Sequence, residues 1–155
     1  MNDSSRIEFA KRYLQQVEVL ETKINSQSEE IERLKLLLTK VTPSLKQDAG
    51  GGSNSGDKMC ISIAKIIDLR EELNTNIMLY AELKQEIFRK LEFIKKEDQY
   101  QVLYKRYFEF KKFEQIACEM IMTYRNVNYI HKRALRNFAK INENSIWKET
   151  ENGRK

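Results

Sequence analysis

The residues best suited to chemistry are basic and amide side chains that recur near the C-terminal end of the sequence. Arg125, Asn128, Tyr129, Lys132 and Arg136 are separated by one, three or four positions, so a helix displays them on one side. An arginine donates two parallel hydrogen bonds to guanine, an asparagine pairs with adenine, and a lysine pairs with phosphate. The spacing therefore predicts contacts with the base edges and phosphates of a nucleic acid.

Neighbouring polar residues extend this predicted contact set. The candidate DNA-contacting residues are Lys111, Lys112, Thr123, Tyr124, Arg125, Asn128, Tyr129, Lys132, Arg133 and Arg136. An ordinary surface position is the alternative interpretation for Tyr124 and Tyr129. The lone histidine, His131, is expected on the helix surface, and contact with phosphate is the alternative there.

The net positive charge of the chain is concentrated in one segment. The whole sequence carries 28 Lys and Arg against 23 Asp and Glu, a net charge of +5. Residues 95–142 hold 11 basic and 5 acidic residues, whereas residues 1–94 hold 14 and 15. This asymmetry predicts a polyanionic partner for the basic segment, because Lys and Arg gain free energy by displacing counterions from nucleic acid. A solvated basic surface is the alternative.

Patterns typical of an active site or a metal site are missing from the sequence. The glycine-rich run between Gly50 and Asp57 lacks the Lys-Ser/Thr pair that follows a phosphate-binding loop. Cys60, Cys118 and His131 do not have the spacing of zinc ligands. We therefore expect no enzymatic activity, no cofactor and no metal. Because the sequence has neither a signal peptide nor an apolar run of about 18 residues, we also expect a cytoplasmic protein that does not span a membrane.

Two short helices must position the candidate contacts. Apolar residues at helical spacing predict one helix over 113–120 and a second from Tyr124 to about Ile141. The apolar positions are Phe113, Ile116, Ala117 and Met120 in the first helix and Val127, Ile130, Ala134 and Leu135 in the second. These faces are predicted to pack together as in a helix-turn-helix, with the small Ala117 where the helices cross closely. A preceding helix is predicted to begin at Gln99, with Asp98 as its N-cap.

Two longer helices precede this motif. Between Ser4 and Thr42 there is no Gly or Pro, and apolar residues from Leu20 onward repeat at steps of three and four, with Gln27 as the one polar entry. This pattern indicates a long helix. Pro43 is expected to end this helix, and residues 43–57 are expected to form a flexible loop. A second long helix is predicted from Asp57 to about Lys95, with an apolar stripe at Ile66, Leu73, Ile77, Tyr80, Ile87, Leu91 and Ile94.

The predicted fold class is all-α. A long antiparallel helical hairpin is expected over residues 1–96, a small helix-turn-helix domain over residues 97–142 and a polar tail over residues 143–155. Two helices alone leave part of each apolar stripe exposed, so the hairpin is expected to form a homodimer or to bind another partner.

The same segments carry a resemblance to a known family. The runs F-E-Q-I-A at 113–117 and T-Y-R-N-V-N-Y-I-H-K-R-A-L at 123–135 are similar to the DNA-binding end of regulators that resemble region four of sigma factors. In particular, they resemble the ArpU-type transcriptional regulators of phages and prophages. The similarity continues through most of the chain, in Y-L-Q-Q at 13–16, I-E-R-L at 31–34, K-V-T-P at 40–43 and A-K-I-I-D-L at 64–69.

The chain departs from the family pattern at three positions. Members commonly carry Gly where this sequence has Phe110, a small hydroxyl N-cap where it has Lys112, and Gly, Asn or His where it has Ile121. A β-branched residue is costly in a left-handed turn, so either the turn is built differently in this chain or its backbone is strained.

The resemblance implies a sequence-specific DNA-binding transcriptional regulator, encoded by a phage or another mobile element. Its helix over 124–142 would read the major groove of double-stranded DNA. The alternative is a helical adaptor that binds RNA polymerase or another protein without contacting DNA directly.

Overall fold

The computed structural model describes the backbone of residues 3–47 and 54–143, and the side chains of residues 3–40 and 56–143. This part of the chain is all-helical, as predicted, and contains no strand. Its helices are α1 (Asp3–Gln47), α2 (Asn54–Leu91), α3 (Glu97–Tyr107), α4 (Phe113–Glu119) and α5 (Tyr124–Ile141). Apart from Glu143, the predicted polar tail lies outside the described residues.

The chain divides into two compact units. Unit 1 combines residues 1–19 with residues 82–155, and unit 2 comprises Leu20–Ala81. The predicted boundary after residue 96 does not coincide with this division, because the first turns of α1 and the last turns of α2 belong to the same unit as α3, α4 and α5.

The long helices extend further into the predicted loop than expected. Pro43 does not end α1, which continues to Gln47, and α2 begins at Asn54 instead of Asp57. A proline inside a helix costs about 3 kcal/mol because it removes one backbone hydrogen bond, but it does not prevent the following turn from forming. Residues 48–53 of the predicted loop lie outside the described part. At its other end α2 stops at Leu91, before the predicted Lys95.

In unit 2, α1 and α2 run antiparallel. The Tyr80 hydroxyl donates to Glu21 Oε2 at 2.9 Å, and the Asn76 amide donates to Gln27 Oε1 at 2.7 Å. Asn76 is 6% exposed, whereas Ile77, which was predicted to lie in the apolar stripe, is 45% exposed. The prediction for Ile77 was therefore wrong. The hydrogen bond between Asn76 and Gln27 fixes a register in which Asn76, and not Ile77, faces α1.

The core of unit 1 joins the ends of the long helices to α5. Leu14 and Val17 of α1, Ile87 of α2 and Phe138 of α5 are completely inaccessible to solvent. Next to this apolar cluster, the ammonium group of Lys90 is 2.6 Å from the Tyr13 hydroxyl and also contacts the Glu86 carboxylate. Burial of the lysine is thus compensated by ion pairing and hydrogen bonding.

The three short helices pack on each other around a second cluster. It contains one side chain from α3 and two each from α4 and α5, namely Val102, Ile116, Ala117, Val127 and Ile130. These include apolar positions predicted for the two faces of the helix-turn-helix, and Ala117 is 6% exposed between them. The start of α3 differs slightly from the prediction, since its N-cap is Lys96. Asp98 instead accepts a hydrogen bond from the backbone N–H of Gln99 at 2.8 Å.

Candidate nucleic-acid interface

Helix α5 has one apolar and one basic side. Val127, Ala134 and Phe138 are fully buried, as the 3.6-residue period of the helix requires when one side packs on a core. The helix contains no Asp or Glu. Its solvent-exposed cations form what we call the basic face, which consists of Arg125, Lys132, Arg133, Arg136 and Lys140.

The start of α5 is fixed by Thr123. Its hydroxyl accepts a hydrogen bond from the backbone N–H of Asn126 at 3.2 Å, so this residue is the N-cap of the helix. A capping role was missed when Thr123 was interpreted only as a DNA contact. Tyr124, the first helical residue, is 51% exposed and packs edge-on against Phe113, with ring centroids 6.3 Å apart.

The central polar residues of α5 contact each other along the helix. The Tyr129 hydroxyl accepts a hydrogen bond from Arg133 Nη1 at 3.3 Å, and the guanidinium group lies 5.4 Å from the tyrosine ring centroid. The Asn128 side-chain amide donates to the Tyr124 carbonyl at 3.1 Å and is half-buried. Arg125 and Lys132 have no ion pair or hydrogen bond with other described residues, and both are exposed. They are therefore available to a ligand.

The two lysines predicted before α4 have different environments. Lys111 Nζ lies 2.7 Å from carboxylate oxygens of both Glu109 and Glu119, and these hydrogen bonds raise the pKa of Lys111. Hydrogen bonds from Lys105 and Lys111 lower the pKa of the Glu119 carboxyl group. Lys112 is exposed at the N-cap of α4, where its backbone N–H donates to Gln115 Oε1 at 2.9 Å. Lys112 is thus free to meet a phosphate, whereas Lys111 is already neutralised.

The turn between α4 and α5 requires a left-handed residue. The Met122 N–H donates to the Ala117 carbonyl at 2.9 Å and the Ile121 N–H to the Cys118 carbonyl at 3.3 Å, which is the hydrogen-bond pattern of a Schellman motif. The residue at its left-handed position is Ile121, with φ 52°. Phe110 adopts φ 53° before α4. The chain therefore keeps the Schellman geometry at Ile121, and its backbone is strained at both Phe110 and Ile121.

His131 is not on the surface of α5, contrary to the sequence-based expectation. It is 7% exposed, and its Nε2 lies 3.0 Å from the Tyr107 hydroxyl. Burial, supported by the nearby cations Arg106, Lys11 and Lys132, lowers the pKa of His131 to about 4. The spacing of His131 from the buried Val127 and Leu135 is one helical turn in each direction, and this was the signal that would have identified it as buried.

Two lysines of the positive surface, Lys96 and Lys140, were missed in the sequence, and the predicted DNA contact Arg136 already pairs with a carboxylate. Lys140 lies one turn after Arg136, so the helical period could have identified it. Lys96 borders α5 in the folded chain, and nothing in the sequence indicates this. Arg136 forms an exposed ion pair with Asp3, whose carboxylate oxygen is 2.7 Å from the arginine Nε.

Other kinds of site are not evident in the residues that the structure describes. There, no group of three His, Cys, Asp or Glu side chains is arranged to hold a metal ion. Likewise, none of the helices in the described ranges has both the length and the apolar composition needed to cross a membrane. No family model, curated protein or solved structure matches the chain.

Proposed function

We propose that the protein is a sequence-specific DNA-binding transcriptional regulator in which α5 enters the major groove. The observation that carries this proposal is the basic face, where five exposed cations line one side of a helix that contains no acidic residue. An α-helix fits the major groove, and cations on its outer side neutralise phosphates. In this proposal α4 and α5 act as a helix-turn-helix of the sigma region-four type, as in regulators encoded by phages and mobile elements.

Different residues of α5 have different roles in the proposed complex. Arg125 lies in the first turn of the helix and has no partner among the described residues. In helix-turn-helix proteins this end of the recognition helix reaches the base edges, so Arg125 is assigned to base recognition. Lys132 and Arg133 lie further along α5 and are assigned to phosphate contacts. Tyr129 holds the Arg133 guanidinium in place through its hydroxyl and ring.

The proposal is tested by comparing two substitutions in a DNA-binding assay. After selection of bound duplexes from a random pool, Arg125→Ala should lose about 1–3 kcal/mol of preference for the selected site. Lys132→Ala should weaken binding to all duplexes about equally and reduce the salt dependence. Lys65→Ala removes an exposed charge from α2 in unit 2 and is the matched control. Absence of duplex binding by the unaltered protein at low salt would contradict the proposal.

A second candidate function is that of a helical adaptor that binds RNA polymerase or another protein without contacting DNA. It is favoured by exposed apolar side chains of α2 in unit 2, where Ile61, Ile67 and Met78 are 68%, 51% and 66% exposed. Ile67 and Met78 are eleven residues apart and lie on the same side of α2, and contiguous exposed apolar surface is typical of protein-interaction sites. Recovery of polymerase from a nuclease-treated lysate, together with no shift of free DNA, would favour the adaptor.

The long helices are assigned to dimerisation in the first proposal. The same exposed side chains of α2 then pack against a second copy of the chain, and the dimer carries two copies of α5, the number that a symmetric DNA site requires. Light scattering at micromolar concentration measures this directly. A mass equal to one chain would contradict dimerisation and leave DNA binding by a single α5 to be tested separately.

A further inference from the structure

The basic face of α5 is bordered on one side by a cationic cleft. This cleft has a volume of about 280 Å³ and is lined by Lys96, Gln99, Arg133, Arg136, Asn137 and Lys140. None of its lining residues is acidic, and the Asp3 carboxylate pairs with only one of its cations, Arg136, at 2.7 Å. Lys96 and Lys140 are exposed and have no hydrogen bond or ion pair from their side chains to other described residues.

Two uncharged residues of the first cleft, Gln99 and Asn137, are hydrogen-bonded to each other. Gln99, which is 5% exposed, accepts a hydrogen bond from the Asn137 amide at 3.0 Å. The pair fixes α3 beside α5 without adding a carboxylate that would neutralise the lysines. The cations of α5 and the lysine that precedes α3 therefore face the same small volume, and such a volume attracts an anion.

A second cationic cleft lies along the other border of α5. It has a volume of about 410 Å³, and its lining includes Lys11 of α1, Arg106 of α3 and Lys132 of α5. Glu8 also lines this cleft, but its carboxylate is 3.3 Å from Arg12. Lys11 and Lys132 have no ion pair or hydrogen bond with other described residues. Arg106 lies 3.9 Å from the Glu18 carboxylate, so the uncompensated positive charge of this second cleft comes from Lys11 and Lys132.

The two cationic clefts on either side of α5 complement the negative charge along the two edges of a DNA major groove. The groove is about 12 Å wide, and a helix with its side chains is about 10–12 Å in diameter. A helix in the groove therefore has the phosphates of one strand along each of its two borders. Lysines suit these positions because their compact ammonium groups pair with phosphate oxygens without needing a fixed geometry.

We propose that the two clefts bind backbone phosphates of opposite DNA strands, so that Lys96 and Lys11 clamp the duplex on either side of α5. This inference rests on the proposed function and extends it to residues outside the helix-turn-helix. It makes the first turns of α1 part of the DNA-binding surface. The same surface then positions α5 in the groove through contacts that carry no sequence information.

The test measures how binding to one duplex depends on salt for Lys96→Gln, Lys11→Gln and the control Lys65→Gln. Each phosphate contact contributes about 0.9 to the slope of log K against log salt concentration. We expect each of the first two variants to lose about that amount and the control to keep the original slope. The preference among duplex sequences should be unchanged in all three variants, and circular dichroism should show that each is folded.

The outcomes separate this inference from the proposed function. If Lys132→Ala reduces the slope but neither Lys96→Gln nor Lys11→Gln does, DNA binding stands and the clamp is overturned. A response from only one of these two variants places the phosphate contacts on one border and overturns the two-sided arrangement. If the unaltered protein does not bind duplex DNA, both proposals fail.

Discussion

The Tyr107 hydroxyl and His131 Nε2 lie 3.0 Å apart in the interior of unit 1, where the two residues are 1% and 7% exposed. Burial raises the pKa of the tyrosine and lowers that of the histidine to about 4. Both rings are therefore uncharged at neutral pH. They connect α3 to α5, and the edge of the Phe113 ring from α4 contacts the imidazole with centroids 4.9 Å apart.

Stability should fall as the pH is lowered through the range in which His131 titrates. The pKa of His131 is about 4 in the folded protein and about 6.5 in an unfolded chain. The unfolded state therefore binds the proton first, and the stabilisation, complete above pH 6.5, is lost as the pH falls towards 4. The shift corresponds to a loss of up to about 3 kcal/mol. Denaturant unfolding at a series of pH values measures it.

A variant without the imidazole isolates this contribution from that of the carboxylates. His131 is the only histidine, so His131→Gln removes all histidine titration. The variant should be less stable at pH 7, but its stability should change less between pH 6.5 and pH 4 than that of the unaltered protein. Parallel curves for the two proteins would show that His131 is not held neutral.

Replacing Ile121 by glycine should stabilise the protein. At φ 52° the isoleucine occupies a left-handed conformation, and its side chain is 94% exposed. A left-handed backbone costs a residue with a Cβ about 1–2 kcal/mol, whereas little apolar packing is lost with this side chain. After allowance for the greater freedom of glycine in the unfolded chain, we expect a gain of about 0.5–1 kcal/mol in unfolding free energy. Ile121→Val keeps the β-branch and should show no such gain.

The amide pair of unit 2 should show strong coupling in a double-mutant cycle. Asn76→Leu leaves the half-buried Gln27 carbonyl without its 2.7 Å partner, so its cost should be at the lower end of the about 1–3 kcal/mol for an unsatisfied buried polar group. Gln27→Leu alone leaves the buried Asn76 amide without its partner and should cost more. The double variant places two apolar residues in an apolar seam and should recover most of the loss. Additive single effects in urea denaturation would argue against the pair.

Removing the carboxylate of Asp3 should strengthen DNA binding. Asp3 competes with phosphate for Arg136, 2.7 Å away, and an exposed ion pair is worth about 0.2–1 kcal/mol. Asp3→Asn should therefore raise the affinity for duplex DNA by about 1.5- to 5-fold. Glu30→Gln, which breaks an ion pair with Arg33 in unit 2, makes the same change in net charge. Equal effects of the two variants would show that Arg136 does not contact DNA.

Local signals in the sequence were sufficient for α4 and α5 but misplaced the start of α3, whose N-cap is Lys96 and not Asp98. The apolar period predicted α5 from Tyr124 to about Ile141, although the capping role of Thr123 was missed, and α4 begins at the predicted Phe113. The register of α2 could not be predicted in the same way. A stripe through Ile77 and one through Asn76 both have heptad spacing, and only pairing with Gln27 on another helix selects the second.

The candidate site was predictable where it depends on one helix and not where it depends on several. Arg125, Lys132 and Arg133 follow from the period of α5, and all three are exposed. The proximity of Lys96 and of Asp3 to α5 arises from tertiary packing between segments far apart in the sequence. Residue spacing within one segment therefore could not predict that Lys96 and Asp3 lie near α5.

The left-handed residues Phe110 and Ile121 stand before and after α4, a helix of 7 residues. A helix this short has little stability of its own, and both of its boundaries raise its free energy. Subglobal opening should therefore begin at α4 while the longer α5 remains folded. In native-state hydrogen exchange, the amide protons of α4 should exchange faster than those in the middle of α5. This result would identify α4 as the first helix of unit 1 to open.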